Sequence, residues 1–264
     1  DTSNYTTSAA VTDQKENIIA DQRILLDVKK GQRGLRQSDA LFQHTENLPV
    51  VIERVMKSIS SEDIEAVAVS VRPRPVKGSY MPCFKAGSSA ASSIARVLDV
   101  PLIETTHQEG HIRSALHQNN ISPDDRFICC HFSGGTCEIL KVDGSEITVE
   151  GGSLDISFGQ LIDSLKKISV KDGFFNLSGT ETQLMRREDI SVTELFELIT
   201  QVVDQAVKQV ISKTGLDKVV ITGGVAESSY IRNRLPYAFA KSGLSGDNAV
   251  GTALIGGDKI CQNR

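Results

Sequence analysis

Residues 126–143 read Arg126-Phe127-Ile128-Cys129-Cys130-His131-Phe132-Ser133-Gly134-Gly135-Thr136-Cys137-Glu138-Ile139-Leu140-Lys141-Val142-Asp143. An apolar run of strand length, a tight turn of small residues and an alternating return arm make this a β-hairpin. Asp143-Gly144 signals a second turn, and Ile147 to Glu150 continues the meander. The amino-terminal stretch follows the same plan: Asp1-Thr2-Ser3 is a turn, and Ala9-Ala10-Val11-Thr12-Asp13 returns from it as Ile139 to Asp143 returns from Ser133-Gly134-Gly135. Ser8 to Thr12 thus reads as the second arm of a hairpin whose first arm is expected to begin before Asp1. A polar turn at 13–17 leads into a further strand, Ile18 to Val28. Each half later carries an apolar strand, glycine and a helix.

This duplication predicts an α/β protein of two similar lobes facing each other across a cleft, residues 1–121 and 122–264. The boundary falls between Asn119 and Arg126, where Ser122-Pro123-Asp124-Asp125 starts a turn or helix cap. A single doubly wound sheet is the alternative.

Within the first half, Leu41, Phe42, Leu48, Val51, Ile52, Val55 and Met56 recur at helical spacing between Ser38 and Ser58, with an interruption or a start near Pro49. Gly31 to Gln37 reads as a loop. Ala66 to Val71 is a strand, Arg72 to Gly78 an irregular basic loop, Lys85 to Leu98 a helix, Pro101 to Thr105 a strand and His107 to Gln118 a helix. That order predicts βαβ units on a mostly parallel sheet. In the second half, helices are expected at Phe158 to Ile168 and Val192 to Thr214, and Lys218 to Thr222 is a buried strand ending in Gly223-Gly224.

Composition excludes several functions. Of the 264 residues, 39% are hydrophobic and 23% charged, as in globular rather than disordered or fibrous chains. The longest apolar runs, such as Ala66 to Val71, are strand-sized, so no membrane helix is expected. The polar start of the chain carries no signal peptide. A net charge of −4 argues against gripping nucleic acid by bulk electrostatics. Five cysteines without regular spacing fit reduced thiols in a cytoplasmic protein.

The sharpest local signal is His107-Gln108-Glu109-Gly110-His111. Histidines at i and i+4 share one helix face and can share a metal ion. In the familiar zinc-protease pattern Glu follows the first His directly; here Gln108 takes that place, and Glu109 is rotated away from the line between the imidazoles. A helix that merely carries two histidines is the alternative. The turns at Asp1-Thr2-Ser3 and Ser133-Gly134-Gly135-Thr136 offer backbone amides and hydroxyls to phosphate, with an acidic residue available for a metal. Gly223-Gly224 follows a buried strand and opens a helix, where a nucleotide commonly lies. Arg72, Arg74 and Lys77 could meet phosphates or simply be solvated. His44 could approach the cleft, though a structural or an exposed histidine is the expectation there; Cys129 and Cys130 are expected in the core, and Cys137 is the thiol nearest a turn.

The ordered set Asp1-Thr2-Ser3, His107-x-x-Gly110-His111, Ser133-Gly134-Gly135, Phe175-x-x-Ser178-Gly179, Gly223-Gly224-Val225-Ala226 and Asp247-Asn248-Ala249 resembles the TsaD/Gcp family, once called O-sialoglycoprotein endopeptidases or glycoproteases. The similarity covers nearly the whole chain. It implies an actin/hexokinase-like (ASKHA) fold of duplicated ribonuclease-H-like lobes. It also implies transfer of a threonylcarbamoyl group from its adenylate to N6 of the adenosine beside a tRNA anticodon. Carried onto this chain, the resemblance assigns His107, His111 and Asp247 to one metal ion, a set that suits zinc or iron with open positions left. It assigns Ser133, Gly134, Gly135, Asp155, Gly159, Asp163, Gly223 and Gly224 to ATP or the adenylate, and makes Asp1 and Ser3 the catalytic candidates. tRNA, and a protein partner or a second copy, are the implied partners.

Departures accompany these matches. Active relatives continue Cys-Asp-Glu-Thr after Asp-Thr-Ser, whereas this chain has Asn4-Tyr5-Thr6-Thr7. Their Ser-Gly-Gly-His-Thr is Ser133-Gly134-Gly135-Thr136-Cys137, and a family Glu on the nucleoside side is Gln160. The segment before Phe175 is also shortened. A non-catalytic paralogue that binds metal or nucleotide as an assembly partner is therefore the second expectation, and a metalloprotease the third.

Overall fold

Alternating side chains and an Asx turn start the fold. In the computed structural model, which describes residues 1–3, 5–28, 35–155, 157–158, 170–175 and 192–262, β1 (Thr2–Ser3), β2 (Thr6–Thr12) and β3 (Ile18–Leu25) form an antiparallel meander. The Asp13 carboxylate accepts the backbone N–H groups of Lys15 and Asn17, at 2.8 Å each, and closes the β2–β3 turn. α1 (Gln37–Met56) follows and runs unbroken through Pro49, against the expected interruption. Its buried residues, Ala40, His44, Leu48, Val51 and Val55, make one stripe on both sides of the proline. Burying that stripe against β2, β3 and α2 outweighs the one backbone hydrogen bond that proline removes.

β4 (Val67–Ser70), α2 (Phe84–Leu98) and β5 (Leu102–Thr105) form the expected βαβ unit, with β4 and β5 parallel from Val67↔Leu102 to Ser70↔Thr105. α3 (His107–Leu116) leaves the end of β5. Between β2 and β4 lies a cavity of about 690 Å³ lined mainly by apolar side chains of β2, β4, α1 and α2 and of the last helix.

The second unit is built on a seven-stranded sheet. β6 (Arg126–Phe132), β7 (Cys137–Asp143) and β8 (Glu146–Ser153) are its antiparallel meander; β9 (Val170–Lys171) and β10 (Phe174–Phe175) extend one edge. The other edge adds β11 (Val219–Thr222) and β12 (Ala238–Phe239), both parallel to their neighbours. Asp143↔Glu146 pairing leaves a two-residue turn, and Gly144 takes the left-handed φ of +59° that this turn requires. α4 (Val192–Thr214) lays Leu195, Ile199, Val202, Val203, Ala206 and Val210 on Ile128, Cys130 and Ile221. Each such buried aliphatic side chain contributes on the order of 1.5–3 kcal/mol. α5 (Ser229–Arg232) and α6 (Val250–Gln262) complete the elements.

Two expectations differ from the structure. The sheets are mixed rather than mostly parallel, because each half opens with a meander whose short turns impose antiparallel pairing. The units are Asp1–Ser114 with Asp247–Arg264, and Ala115–Gly246. The last segment, expected in the second half, joins the first unit because α6 packs on β2, β4 and β5; a Cβ on Gly256 would sit 3.0 Å from Cβ of Ala68. The expected helix from Phe158 to Ile168 falls almost wholly outside the described residues, as does most of the expected loop from Gly31 to Gln37, whose last residue begins α1.

Candidate functional site

α3 starts with a capping box, Thr106-His107-Gln108-Glu109. Oγ1 of Thr106 accepts the Glu109 N–H at 3.3 Å, and Oε2 of Glu109 accepts the Thr106 N–H at 2.8 Å. The same oxygen accepts the hydroxyls of Thr105 at 3.1 Å and Thr106 at 2.6 Å. The next two amides of the helix, His107 and Gln108, donate to the carbonyls of Arg72 and Pro73 at 3.0 Å. The basic loop thus braces the helix start through its backbone. The Glu109 carboxylate is held by the cap, which removes the general base a metalloprotease would need.

With the helix start fixed, the two imidazoles meet edge to face on one side of the helix. Their ring centroids are 4.5 Å apart, and Nε2 of His111 lies 3.1 Å from Nε2 of His107. A third group arrives from α6. Asn248 caps that helix, its Oδ1 accepting the N–H groups of Val250 at 3.0 Å and Gly251 at 3.4 Å. Asp247, one residue earlier, places Oδ1 3.3 Å from Nε2 of His111 and 3.4 Å from Nε2 of His107. Glycine makes this approach possible: a Cβ on Gly251 would run into the Gly110 carbonyl and lie 2.9 Å from the Ser114 nitrogen.

These residues fit a metal ion. Nitrogen and oxygen ligands about 2.0–2.2 Å from a tetrahedral ion lie about 3.3–3.6 Å from one another, and the three separations here are 3.1, 3.3 and 3.4 Å. Burial pushes the His111 imidazole down in pKa, with the neighbouring His107 charge acting the same way. Burial would raise Asp247, but hydrogen bonds to His107 and His111 outweigh it and hold the carboxyl well below its usual range. Neutral imidazole and ionised carboxylate are the forms that bind a cation. Side-chain exposure is 2% for His111 and 17% and 23% for His107 and Asp247, so the group is open on one side. Three protein ligands with an accessible fourth position is the pattern of catalytic rather than structural zinc.

Asp1 and Ser3 lie in the same unit. Oδ2 of Asp1 is 3.0 Å from Nδ1 of His107. Oδ1 of Asp1 and Oγ of Ser3 are buried and have no hydrogen-bond partner among the described residues. His44 is buried on α1 with Nδ1 2.8 Å from Oγ1 of Thr7, and burial pushes its pKa down to about 4. It is not among the residues that converge on His107, His111 and Asp247.

In the second unit, β6 and β11 are parallel neighbours with Thr222 opposite His131, so the turns that follow them, Ser133–Thr136 and Gly223-Gly224, leave the same end of the sheet. Gly223 is required there: at φ +94° a Cβ would strike the Phe132 carbonyl. Gly134, Gly135 and Gly224 have open space around them, as a close backbone approach to a ligand needs. The amides of Gly135 and Thr136, however, are turned onto Oγ of Ser133 at 3.3 and 3.0 Å. Asp155 is exposed and accepts the Ser153 hydroxyl at 3.0 Å. Gly159, Gln160, Asp163, Ser178 and Gly179 lie outside the described residues. Cys137 is a core thiol: burial drives its pKa up, as it drives Cys129 to about 12 and Cys83 to about 11.

Sequence reading missed the capping box, although Thr-x-x-Glu ahead of a helix was its visible signal. Asn248 as a cap, Gly251 as a contact and the Asp1–His107 pairing had no local signal.

The chain is similar to known proteins along most of its length. The chain is 24% identical to the tRNA N6-adenosine threonylcarbamoyltransferase of Methanopyrus kandleri over 89% of this chain and 81% of that one. It is also 24% identical to the enzyme of the same description from Archaeoglobus fulgidus, covering 96% and 87%. A probable bifunctional tRNA threonylcarbamoyladenosine biosynthesis protein of Halobacterium salinarum is 26% identical over 80% of this chain, which spans 44% of it. Among solved structures, the activator of 2-hydroxyisocaproyl-CoA dehydratase from Clostridium difficile superposes with a TM-score of 0.53 at 16% identity, covering 98% of this chain and 93% of that one. A glucokinase of the ROK family from Streptomyces griseus gives 0.52 at 11% identity, covering 98% and 97%. These establish the actin/hexokinase-like α/β fold. The family model of tRNA N6-adenosine threonylcarbamoyltransferase, TsaD, matches residues 18–253 and so takes in most of both units. The chain belongs to the TsaD family.

Proposed function

We propose that this protein transfers a threonylcarbamoyl group from its adenylate to N6 of the adenosine next to a tRNA anticodon. The observation that carries the reading is the convergence of His107, His111 and Asp247 on one point. They would hold one zinc or iron ion, which when bound supplies positive charge to the reacting carbonyl and phosphate oxygens. In the step itself, the N6 lone pair forms a bond to the carbamoyl carbon. The carbon–oxygen bond to phosphate breaks, AMP leaves with that electron pair, and N6 gives up one proton. The chain's own contribution is placement and charge stabilisation. Ser133, Gly134, Gly135, Gly223 and Gly224, together with Asp155, Gly159 and Asp163, would take ATP or the adenylate, and Asp1 and Ser3 are the catalytic candidates of the first unit.

tRNA binding falls to local patches such as Arg72, Arg74 and Lys77, or to a protein partner or second copy, because the net charge is −4. A cytoplasmic setting fits free thiols and tRNA. Among the described residues no helix is long and apolar enough to cross a membrane.

The second reading, a non-catalytic paralogue, is favoured by specific residues: Tyr5-Thr6 stands where active relatives carry acids, and Thr136 where they carry a histidine. Rescue of cells depleted of their own TsaD separates the two. Restored threonylcarbamoyladenosine in bulk tRNA, read by nucleoside mass spectrometry, supports the enzyme. No restoration, with no transfer in vitro when partner proteins are supplied, supports the paralogue.

A further inference from the structure

We infer that Asp1 is a positioning residue whose carboxylate keeps the proton of His107 on Nδ1 and turns the bare Nε2 toward the metal position. The inference rests on the metal reading of His107, His111 and Asp247 given above. Geometry carries it. The Asp1 side chain is fully buried, and its Oδ2 lies 3.0 Å from Nδ1 of His107. A carboxylate can only accept, so Nδ1 must donate and the neutral ring must leave its lone pair on Nε2. That nitrogen is the one 3.1 Å from Nε2 of His111 and 3.4 Å from Oδ1 of Asp247. Asp1 cannot itself complete the ligand set, because it reaches the opposite edge of the ring, and it is absent from the group whose ligand atoms lie within 4.8 Å of one another.

The backbone that carries the carboxylate is held independently of the histidine. The Ser8 N–H donates to the Asp1 carbonyl at 3.0 Å. The next residue, Thr2, donates through Oγ1 to the Cys83 carbonyl at 3.1 Å and accepts the Gly87 N–H at 3.2 Å. A Cβ on Gly87 would come within 2.8 Å of that hydroxyl, so the start of α2 is pressed onto the strand. On the other side, the Phe84 ring meets His107 edge to face at 6.2 Å between centroids. The other carboxylate oxygen, Oδ1, is buried with no hydrogen-bond partner among the described residues. A buried carboxylate this poorly solvated needs the imidazole N–H, and removing either partner strands the other.

The test reads tautomer and metal affinity separately. In long-range ¹H–¹⁵N spectra of the metal-free protein, His107 is expected as the Nδ1–H tautomer; an Nε2–H tautomer in the wild type overturns the inference without any variant. Asp1→Ala is expected to scramble that tautomer and weaken zinc binding about 10- to 100-fold in chelator competition. Asp1→Asn, nearly isosteric and still able to accept from Nδ1, is expected to fold and to lose less. Unchanged tautomer and unchanged zinc affinity in both variants sink the role assigned to Asp1. A wild type that binds no stoichiometric zinc or iron instead sinks the metal reading, while the tautomer spectrum still reports on Asp1.

Discussion

The corner at His107, His111 and Asp247 and the turns at Ser133 and Gly223 are built on opposite plans. The corner uses side chains, each fixed by its own cap: the Thr106–Glu109 box sets α3, and Asn248 sets α6. It is largely buried and its groups already point at one another. The turns use backbone: Gly134, Gly135 and Gly224 stand open, and the amides of Gly135 and Thr136 are turned onto Ser133. A site made of side chains tolerates no exchange of its three residues, whereas a backbone cradle tolerates exchange of its flanks. That contrast matches part of where this chain departs from the family: His107, His111 and Asp247 are kept, Thr136 and Gln160 are changes on the nucleotide side, and Asn4, Tyr5 and Thr6 are changes beside Asp1-Thr2-Ser3.

Five substitutions would break or sharpen this contrast. The largest effect is expected at Gly251→Ala, where the new methyl meets the Gly110 carbonyl. It should cost on the order of 4 kcal/mol, seen as a lowered melting temperature, with metal binding lost as α6 moves off α3. Gly110→Ala meets only the Thr252 hydroxyl at 3.1 Å and should be mild; equal costs would mean the α3–α6 approach is not what places Asp247.

The next effect is pH-dependent. Folding holds His44 neutral with a pKa of about 4 against 6.5 in the unfolded chain. Between those values the unfolded state binds the extra proton, so stability is full above pH 6.5 and falls as pH drops toward 4. The loss approaches about 3 kcal/mol, and His44→Gln should flatten denaturation midpoints across that window. A slope unchanged in the variant would assign the acid sensitivity to other groups.

Glu109→Gln should cost about 1 kcal/mol through the cap and leave any transfer activity standing. Complete loss of activity in a folded Glu109→Gln protein would return that residue to the chemistry. The smallest effect belongs to Gly134→Ala. With open space around it, stability should move by less than about 0.5 kcal/mol while binding of a non-hydrolysable ATP analogue weakens. Unchanged nucleotide binding would remove the Ser133 turn from the site.

Much of this molecule is readable from local pattern. The hairpins, the βαβ unit and α4 follow from periodicity and turn residues, and the two histidines from i,i+4 spacing. What local pattern misses is tertiary. Pro49 suggests a break, yet a buried stripe on both sides carries the helix through. Asp247 is 136 residues from His111 and becomes visible only through family resemblance. Glu109 reads as a displaced catalytic acid because its spacing to Thr106 matters as much as its spacing to His107. The Asp1–His107 pairing joins the start of β1 and a helix 106 residues apart, and no periodicity spans that distance.

The most direct test of the metal-centred account is the metal content of the purified wild-type protein, set beside His107→Ala and Asp247→Ala. One zinc or iron ion per wild-type chain, lost in both variants, is the predicted result. A folded wild-type protein without stoichiometric metal, or variants that retain it, would contradict the account.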